Sequence, residues 1–489
     1  MTRKIQARLV GILIVAMVTM QLPTPAIAQK TPAKKKYNVL FLISDDLRPE
    51  LGSYGNPLIK TPNIDRIANG ATRFDRAYSQ YPLCNPSRTS FLTGRYPTQH
   101  KIYNSNDYFR RKYPDWVTLP QYFQKHGYAT LRSGKIFHGG IDDQVSWTEG
   151  GEPTDPAITE RGRPGARQVS ETDRYDGNEG RVAAAPNRQS NSDRIIVLDG
   201  DGSQHGDYKA ATRAIDMMER HKEKPFLLAV GFVKPHSPPT APKSFFDLYD
   251  VSKMPLPVDF AERPKAPAGF PEVSIAPRNA DLFIGRDSPP DLAREMIRAY
   301  YASTSFMDAQ VGRVLDALEK NGLRDDTIIV FFGDHGYHLG EKGKWSKAYS
   351  LFEINLRVPL FIAVPKGKTQ VTEAPVELQD LYRTLSDLCG LPAPPANIEG
   401  RSIAPLIRSP RSKWDHPAYS MMEMGDVHGL SIRKSNWHYV EYDRGASGEM
   451  LFDIAKDPNE LKNLASDPTY AKVAAELRTL VRQMPTENK

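Results

Sequence analysis

The sequence predicts an α/β protein: a doubly wound, mostly parallel central sheet followed by a smaller C-terminal subdomain of antiparallel strands and a helix. Three observations predict it: continuous apolar runs of strand length, segments of helical periodicity between them, and an alternating pattern near the C-terminus. Each apolar run also ends in charged or imidazole side chains, which packing alone does not require.

The apolar runs have the length and composition of buried strands in a parallel sheet. Because ligands of open α/β sheets bind beyond the carboxyl ends of the strands, we expect the polar groups that follow the runs to meet at one edge. The runs with these groups are residues 37–43 with Asp45 and Asp46, residues 226–232 with His236, and residues 327–332 with Asp334 and His335.

Helical periodicity fills the segments between the runs. Apolar residues recur at three- and four-residue spacing from 291 to 320, and Asn321-Gly322 predicts the end of this helix. A shorter helix is predicted at 207–221. This alternation predicts a doubly wound domain over residues 37–370.

Residues 139–206 interrupt this domain with a different composition. They are rich in Gly, Pro, Arg, Asp and Ser, and periodic apolar positions are few until residues 195–198. We predict a loop-rich insertion that lies over the ligand crevice.

The C-terminal part, residues 371–489, changes to an alternating pattern. Residues 428–443 have the pattern of a β-hairpin with its turn at Ser435-Asn436, residues 450–453 that of a further short strand, and residues 470–484 that of a closing helix. This predicts a small antiparallel sheet covered by one helix.

The N-terminus has the three parts of a secretory signal peptide over residues 1–28. Residues 1–8 are basic, residues 9–20 form an apolar run too short to span a bilayer comfortably, and Ala26-Ile27-Ala28 is a small-residue cleavage site. We therefore expect a mature chain with a short tail over residues 29–36. The chain is predicted to be secreted or periplasmic, without a stable membrane anchor.

The composition excludes several classes of protein. Hydrophobic residues make up 39% of the chain and charged residues 25%, values that argue against a disordered, collagenous or disulfide-scaffold protein. Arg3, Lys4 and Arg8 of the signal segment contribute to the net charge of +7, so the remaining excess is too small to predict a nucleic-acid partner. A local basic pocket for an anionic substrate remains open.

The chain has two cysteines, fewer than secreted proteins that depend on disulfides usually carry. Cys389 is predicted to be a small packing residue near a helix end. Cys84 lies between Pro82 and Pro86, and a helix is predicted to begin just after the second proline. A thiol at that position would lie at the positive end of the helix dipole, which favours its anionic form and predicts a reactive cysteine.

The segment around Cys84 carries the most specific motif. Cys84-Asn85-Pro86-Ser87-Arg88, continued by Leu92-Thr93-Gly94-Arg95, resembles the signature of the type I sulfatases. The resemblance extends from about residue 37 to the C-terminus through Asp45-Asp46 and the segments 62–65, 451–453, 457–458 and 463–464. It implies an alkaline-phosphatase-like fold and a cysteine that a maturation enzyme oxidises to formylglycine.

The same resemblance implies a metal site. Hard carboxylate oxygens favour Ca²⁺ in such a site and Mg²⁺ less so, whereas a histidine takes the place of the amide that many family members carry at its position. The implied ligands are Asp45, Asp46, modified Cys84, Asp334 and His335.

The resemblance also assigns catalytic roles. Arg88 would hold the oxygen of the nucleophile, Lys135 and Lys347 would bind sulfate, His138 would take the proton that triggers sulfate release, and His236 would act as acid or hydrogen-bond donor for the leaving group. The spacing of Lys135 and His138 is like that of the iduronate-2-sulfatase subgroup, as are residues 45–49 and 119–123. Further candidates for the substrate cleft are Arg48, Tyr103, Lys344 and Trp345.

The expected reaction is hydrolysis of a sulfate ester in a sulfated carbohydrate, with a 2-O-sulfated uronic acid favoured by the subgroup. A hydrated aldehyde suits this chemistry because one hydroxyl attacks sulfur while the other can later lose its proton and expel sulfate. Two alternatives remain open. One is a phosphonate monoester or phosphodiester hydrolase of the same superfamily, and the other is a non-catalytic glycan-binding protein.

Overall fold

The computed structural model describes residues 36–152 and 192–485. The predicted signal peptide, the tail up to residue 35, and residues 153–191 of the predicted insertion lie outside this part of the chain. Among the helices in the described ranges, none combines the length and apolar character needed to cross a bilayer.

A seven-stranded, mostly parallel sheet forms the centre of the fold, as the sequence predicts. The last four strands of its order are mutually parallel, and Leu360–Ala363 runs antiparallel to both of its neighbours. In order across the sheet, the strands are Gln370–Thr372, Thr72–Phe74, Leu360–Ala363, Thr327–Gly333, Asn38–Ser44, Phe226–Phe232 and Ala129–Gly134.

Helices cover both faces of this sheet, which explains why its central strands read as continuous apolar runs. Along Asn38–Ser44, Val39 and Phe41 point into one hydrophobic core, whereas Leu40 and Leu42 point into the other. The first core includes residues of the helices Cys84–Thr93, Leu119–Lys125 and Asp380–Leu388. The second includes residues of Pro62–Ala68, Gly206–His221 and Pro290–Lys320.

Short elements connect these layers. The additional helices are Pro97–His100, Phe109–Lys112, Lys243–Phe246, Glu353–Leu356 and Ala404–Arg408. Single 3-10 turns occur at Gly52–Tyr54, Gln144–Ser146, Val251–Lys253, Glu272–Ser274, Arg324–Asp326, Asp443–Gly445 and Pro468–Tyr470. One small sheet has three strands, Val376–Glu377, Ala77–Tyr78 and Arg357–Val358. Another has two strands, Ile196–Leu198 and Thr240–Pro242.

The described ends of the predicted insertion are ordered parts of the domain. Arg132 in the edge strand donates its backbone N–H to the carbonyl of Glu149, and Thr148 donates its own to the carbonyl of Thr130, so the chain around residues 148–149 runs beside that strand. At the other end, Ile196–Leu198 pairs in parallel with Thr240–Pro242.

The C-terminal subdomain is an antiparallel sheet with a helix, as predicted. The hairpin turn lies at Ser435-Asn436, where Ser435 has a φ of 50°. The sequence missed the first strand, and the closing helix is shorter than the predicted 470–484. The strands are Ala418–Met424, Val427–Lys434, Trp437–Tyr442 and Glu449–Asp453, and the helix is Ala471–Val481.

A buried ion pair links this sheet to the central part of the chain. Arg433 is 0% exposed, donates from Nε to Glu353 Oε2 at 2.9 Å and lies 4.5 Å from the ring centre of Tyr78. Because elements past residue 370, such as Gln370–Thr372, also join the central sheet, the domain boundary at 370 stays a prediction.

We predict that Arg433→Met destabilises the protein by about 3–5 kcal/mol, because it leaves the buried Glu353 carboxylate without its charge partner. The matched control is Arg66→Met, which removes an exposed pair with Asp316 and should cost about 0–1 kcal/mol. Urea unfolding measures both. Equal unfolding midpoints for the two variants would show that the stability of the protein does not depend on this buried pair.

Candidate active site

The predicted site residues converge beyond the carboxyl ends of four neighbouring parallel strands, where ligands of α/β sheets bind. The strands Asn38–Ser44 and Thr327–Gly333 pair in parallel with Ser44 opposite Gly333, so the residues that follow the two strands lie side by side. The side chains delivered there are Asp45 and Asp46, Lys135, His236, and Asp334 with His335.

The helix Cys84–Thr93 begins at Cys84, so the predicted start after Pro86 is wrong. A proline fits the first turn of a helix because the N–H groups there have no intrahelical partner. Ser87 Oγ donates to the carbonyl of Asp334 at 2.6 Å, which holds this helix start against the end of a central strand.

The Cys84 thiol lies buried inside the site. Its Sγ is 3.2 Å from Asp45 Oδ1 and 3.2 Å from His335 Nε2. Burial raises the pKa of this thiol well above its usual range, and the Asp45 charge raises it further, against the opposing effect of Lys135. The expectation of an anionic thiol at the helix dipole is therefore wrong, because burial and a neighbouring carboxylate outweigh the dipole.

Arg88 holds the carboxylates of two strands in place from a position with no solvent exposure. Its Nε donates to Asp334 Oδ2 at 2.8 Å, its Nη1 donates to the carbonyl of Lys135 at 2.6 Å, and its Nη2 lies 3.8 Å from Asp45 Oδ1. The other oxygen of Asp334 accepts the backbone N–H of Asp46 at 3.2 Å. Both oxygens of Asp334 are thus oriented by hydrogen bonds.

Two lysines flank Asp45 and Asp46. Lys135 Nζ donates to Asp45 Oδ2, and Lys347 Nζ donates to Asp46 Oδ2 at 2.9 Å. Burial raises the pKa of Asp45, but the charges of Lys135, His236 and Arg88 outweigh burial and hold that pKa well below its usual range. Burial raises the pKa of Asp46 well above its usual range despite Lys347, because Asp45 adds a like charge.

Four of the five predicted metal ligands form one buried cluster that could hold a divalent cation. Ligand atoms of Asp45, Cys84, Asp334 and His335 all lie within 4.8 Å of one another. Asp46 lies beside this cluster, with its Oδ1 3.4 Å from His335 Nδ1. That oxygen is buried and accepts no hydrogen bond from the described part of the chain, which suits a cation as its partner.

The two other predicted histidines lie on loops that follow strands of the central sheet. His236 Nδ1 is 2.6 Å from the carbonyl of Ser237, and its Nε2 is 4.0 Å from Asp46 Oδ2. A carbonyl accepts, so Nδ1 carries the proton when this ring is neutral. His138 is buried and lies in the same loop as Lys135, and its role stays a prediction.

Three of the four cleft candidates, Arg48, Lys344 and Trp345, are buried within the structure, and Tyr103 is partly buried. Trp345 has no exposed surface, and Arg48 pairs with Glu341 at 2.8 Å and with Glu50. The Arg48–Glu341 pair ties the loop that carries Asp46 to the loop that carries Lys347. A cavity of about 380 Å³ beside this pair contains none of the predicted catalytic residues.

Sequence reasoning missed Asp281. Its segment has no recognisable motif, yet its charge acts on Lys347 and Asp46. Asp281 is brought near Lys347 by contacts between segments that are distant in the sequence, and the local sequence gives no signal for such contacts.

Carboxylates, lysine and arginine side chains, and imidazoles surround a cysteine at the start of a helix. This arrangement indicates the class of protein, a hydrolase of anionic esters. The Sulfatase family model matches residues 37–391, and the model described as N-sulphoglucosamine sulphohydrolase, C-terminal, matches residues 340–487. The chain belongs to the sulfatase family and is a sulfuric ester hydrolase. This membership favours an enzyme over the non-catalytic alternative.

Individual relatives agree with the family. The chain is 36% identical over 418 residues to iduronate 2-sulfatase of Mus musculus, covering 75% of this chain and 71% of that protein. It is 27% identical over 490 residues to a Delta 4,5-hexuronate-2-O-sulfatase of Bacteroides thetaiotaomicron, covering 94% and 90% of the two chains.

Solved structures share the fold. The phosphonate monoester hydrolase of Agrobacterium radiobacter matches with a TM-score of 0.70 and 22% identity, over 92% of this chain and 95% of that chain. A 2-O GAG sulfatase matches with a TM-score of 0.63 and 24% identity, over 92% of each chain. At these identities the likeness establishes the fold alone.

We predict that iodoacetamide at about pH 8 labels neither cysteine of the folded chain in the presence of a chelator, as long as residue 84 is unconverted. Burial raises the pKa of Cys84 well above its usual range and that of Cys389 to about 12, so both thiols are neutral at this pH. Mass spectrometry of the labelled chain measures this. The urea-unfolded chain is the control, in which both should react, and rapid labelling of Cys84 in the folded chain would contradict the prediction.

Proposed function

We propose that the protein is a formylglycine-dependent sulfatase that hydrolyses sulfate esters of sulfated glycans, with 2-O-sulfate on a uronic acid as its substrate class. One observation carries the proposal: Cys84 Sγ lies 3.2 Å from both Asp45 and His335, inside a cluster bordered by Lys135 and Lys347. The names of the two relatives, iduronate 2-sulfatase and hexuronate-2-O-sulfatase, support the uronic acid.

In this proposal residue 84 would need a maturation enzyme that oxidises the thiol to the aldehyde of formylglycine. Once hydrated, this group supplies two hydroxyls on one carbon, one as nucleophile and one for the later release of sulfate. The surrounding protein supports that use. Ser87 and Arg88 fix the start of the helix, and burial keeps bulk water away from the reacting carbon.

A divalent cation would be held by Asp45, Asp46, Asp334, His335 and an oxygen of converted residue 84. We assign Ca²⁺ ahead of Mg²⁺ because most of these donors are hard carboxylate oxygens. When bound, the cation supplies positive charge that reduces repulsion between the nucleophile and the sulfate ester. The buried Asp46 Oδ1, which lacks a donor among the described residues, supports the fit.

Lys135 and Lys347 would bind the sulfate oxygens. Both ammonium groups are buried and donate to Asp45 and Asp46. They therefore offer preorganised positive charge where negative charge would develop on the reacting sulfate group. Arg88 offsets the charge of Asp334 and orients it, and would hold the nucleophile's oxygen.

The two histidines would act as the general acid and the general base of the reaction. His236 is fixed through its Nδ1 contact with Ser237, which leaves Nε2, on the side of Asp46, to donate to the leaving alcohol when the ring is protonated. His138 would accept the proton whose loss triggers release of sulfate. This division gives each histidine one proton transfer in a cycle of two steps.

The second candidate is a phosphonate monoester or phosphodiester hydrolase, an activity that the same fold carries in the enzyme of Agrobacterium radiobacter. Such an enzyme would use a similar charged site on the same fold. Comparing kcat/KM for an aryl sulfate with that for an aryl phosphodiester separates the two. A large preference for the phosphodiester would overturn the main proposal.

We predict that Cys84→Ala and Cys84→Ser each lower the steady-state kcat on an aryl sulfate by at least about 1,000-fold. Alanine removes the nucleophile, and serine could form a sulfate ester but lacks the second hydroxyl that would expel it. Cys389→Ser is the matched control and should retain normal turnover. Substantial turnover by Cys84→Ala would show that the nucleophile is another group.

We predict that EDTA followed by dialysis abolishes turnover and that Ca²⁺ restores it more fully than Mg²⁺. Independently of activity, Ca²⁺ at 100 times its Kd should stabilise the folded chain by about 2.7 kcal/mol, measured as a rise in Tm. Asp46→Asn should reduce this rise because it weakens a proposed ligand. An unchanged Tm and full turnover after chelation would contradict the metal site.

A further inference from the structure

The segment that carries Asp281 is fastened directly to the loop that carries Lys347. Asn279 accepts the backbone N–H of Trp345 at 2.8 Å through Oδ1 and donates from Nδ2 to the carbonyl of Gly343 at 3.2 Å. Leu282 donates its backbone N–H to the carbonyl of Trp345 at 3.2 Å. Asp281 therefore lies against the stretch that leads into Lys347.

A second set of contacts fixes the other side of this segment. The Phe283 ring lies 4.7 Å from that of the buried Trp345. Asp193 accepts the backbone N–H groups of Phe283 at 2.8 Å and Ile284 at 2.9 Å, and pairs with Arg286. Asp281 thus sits on a backbone held from both sides.

The Asp281 carboxylate acts on the catalytic groups and is incompletely satisfied. Its charge raises the pKa of Asp46 and supports the charged form of Lys347 and Lys344. Asp281 keeps partial exposure, unlike the fully buried Asp45. Its Oδ2 is nevertheless buried and has no hydrogen-bond donor within residues 36–152 and 192–485.

A carboxylate oxygen in this position needs a donor, because a buried acceptor without one is costly. Sulfate oxygens cannot provide a hydrogen bond, whereas a sugar ring presents hydroxyl donors beside the carbon that bears the sulfate. We propose that Asp281 determines specificity in the proposed reaction by accepting a hydrogen bond from a hydroxyl of the sulfated sugar while Lys347 binds its sulfate.

This inference rests on the proposed function and makes the site selective for sugar sulfates over simple aryl sulfates. An acidic side chain next to an anion-binding lysine works against an anionic ester that has no hydroxyl to offer. The same side chain compensates for that repulsion when the substrate donates a hydrogen bond to it.

The test compares Asp281→Asn with the wild type on two substrates, 4-nitrophenyl sulfate and a disaccharide with a non-reducing 2-O-sulfated uronic acid. Loss of the charged acceptor should lower kcat/KM for the disaccharide on the order of 10- to 100-fold, mainly through KM. For the aryl sulfate, kcat/KM should stay the same or rise, because a repulsive charge has been removed. An equal fall on both substrates, or no change on the disaccharide, would overturn the inference.

The matched control is Asp193→Asn, which loosens the anchor of the same segment but leaves the Asp281 carboxylate in place. It should change kcat/KM for the two substrates by the same factor. Failure of the proposed function is recognised separately in the wild type: inactivity on both substrates would overturn the sulfatase proposal, and activity on the aryl sulfate alone would overturn the uronic-acid substrate class.

Discussion

Mutual repulsion of Asp45, Asp46 and Asp334 is the constraint on which the site depends. Their carboxylates are buried at the ends of two adjacent strands, where water cannot screen them. Arg88 and the two lysines supply the compensating positive charge from three other segments of the chain. A divalent cation would complete the compensation, which makes folding of this edge, metal binding and substrate binding parts of one electrostatic balance.

The fold brings these charges together by placing four parallel strands side by side, so that their carboxyl ends open onto one crevice. The helix that begins at Cys84 is pinned to that edge by Ser87 and Arg88. Burial and the nearby Asp45 charge raise the pKa of the Cys84 thiol well above its usual range, which disfavours a thiolate nucleophile. The charge that an ordinary cysteine enzyme would place on sulfur lies here on the carboxylates.

The sequence predicted elements whose signal is local. Phe226–Phe232, Thr327–Gly333 and Pro290–Lys320 are long and strongly apolar or periodic, because they are buried on one or both faces. Ala129–Gly134 was missed because Thr130, Arg132 and Ser133 interrupt any apolar run. Strands of two or three residues carry too few positions for a pattern.

The candidate site shows the same division. The motif around Cys84 indicated most of the residues that the structure brings together, but the pKa of the thiol depends on Asp45, which is far away in the sequence. The placement of Asp281 likewise depends on contacts of its neighbours Asn279 and Leu282 with Trp345, which no local sequence pattern indicates. Charge balance in a buried site is a property of the fold, and the sequence predicts its members better than their protonation.

The central claim is that one cation lies among these carboxylates and contacts residue 84. Anomalous diffraction from crystals of the mature enzyme soaked with a Ca²⁺ substitute such as a lanthanide locates that ion directly. The account predicts one strong peak bounded by Asp45, Asp46, Asp334 and His335, with electron density for an oxygen-bearing residue 84 beside it. A second buried group of possible ligands, formed by Glu353, His438 and Glu460, lies elsewhere in the described chain. A peak only at that group, or none between the aspartates, would contradict the claim.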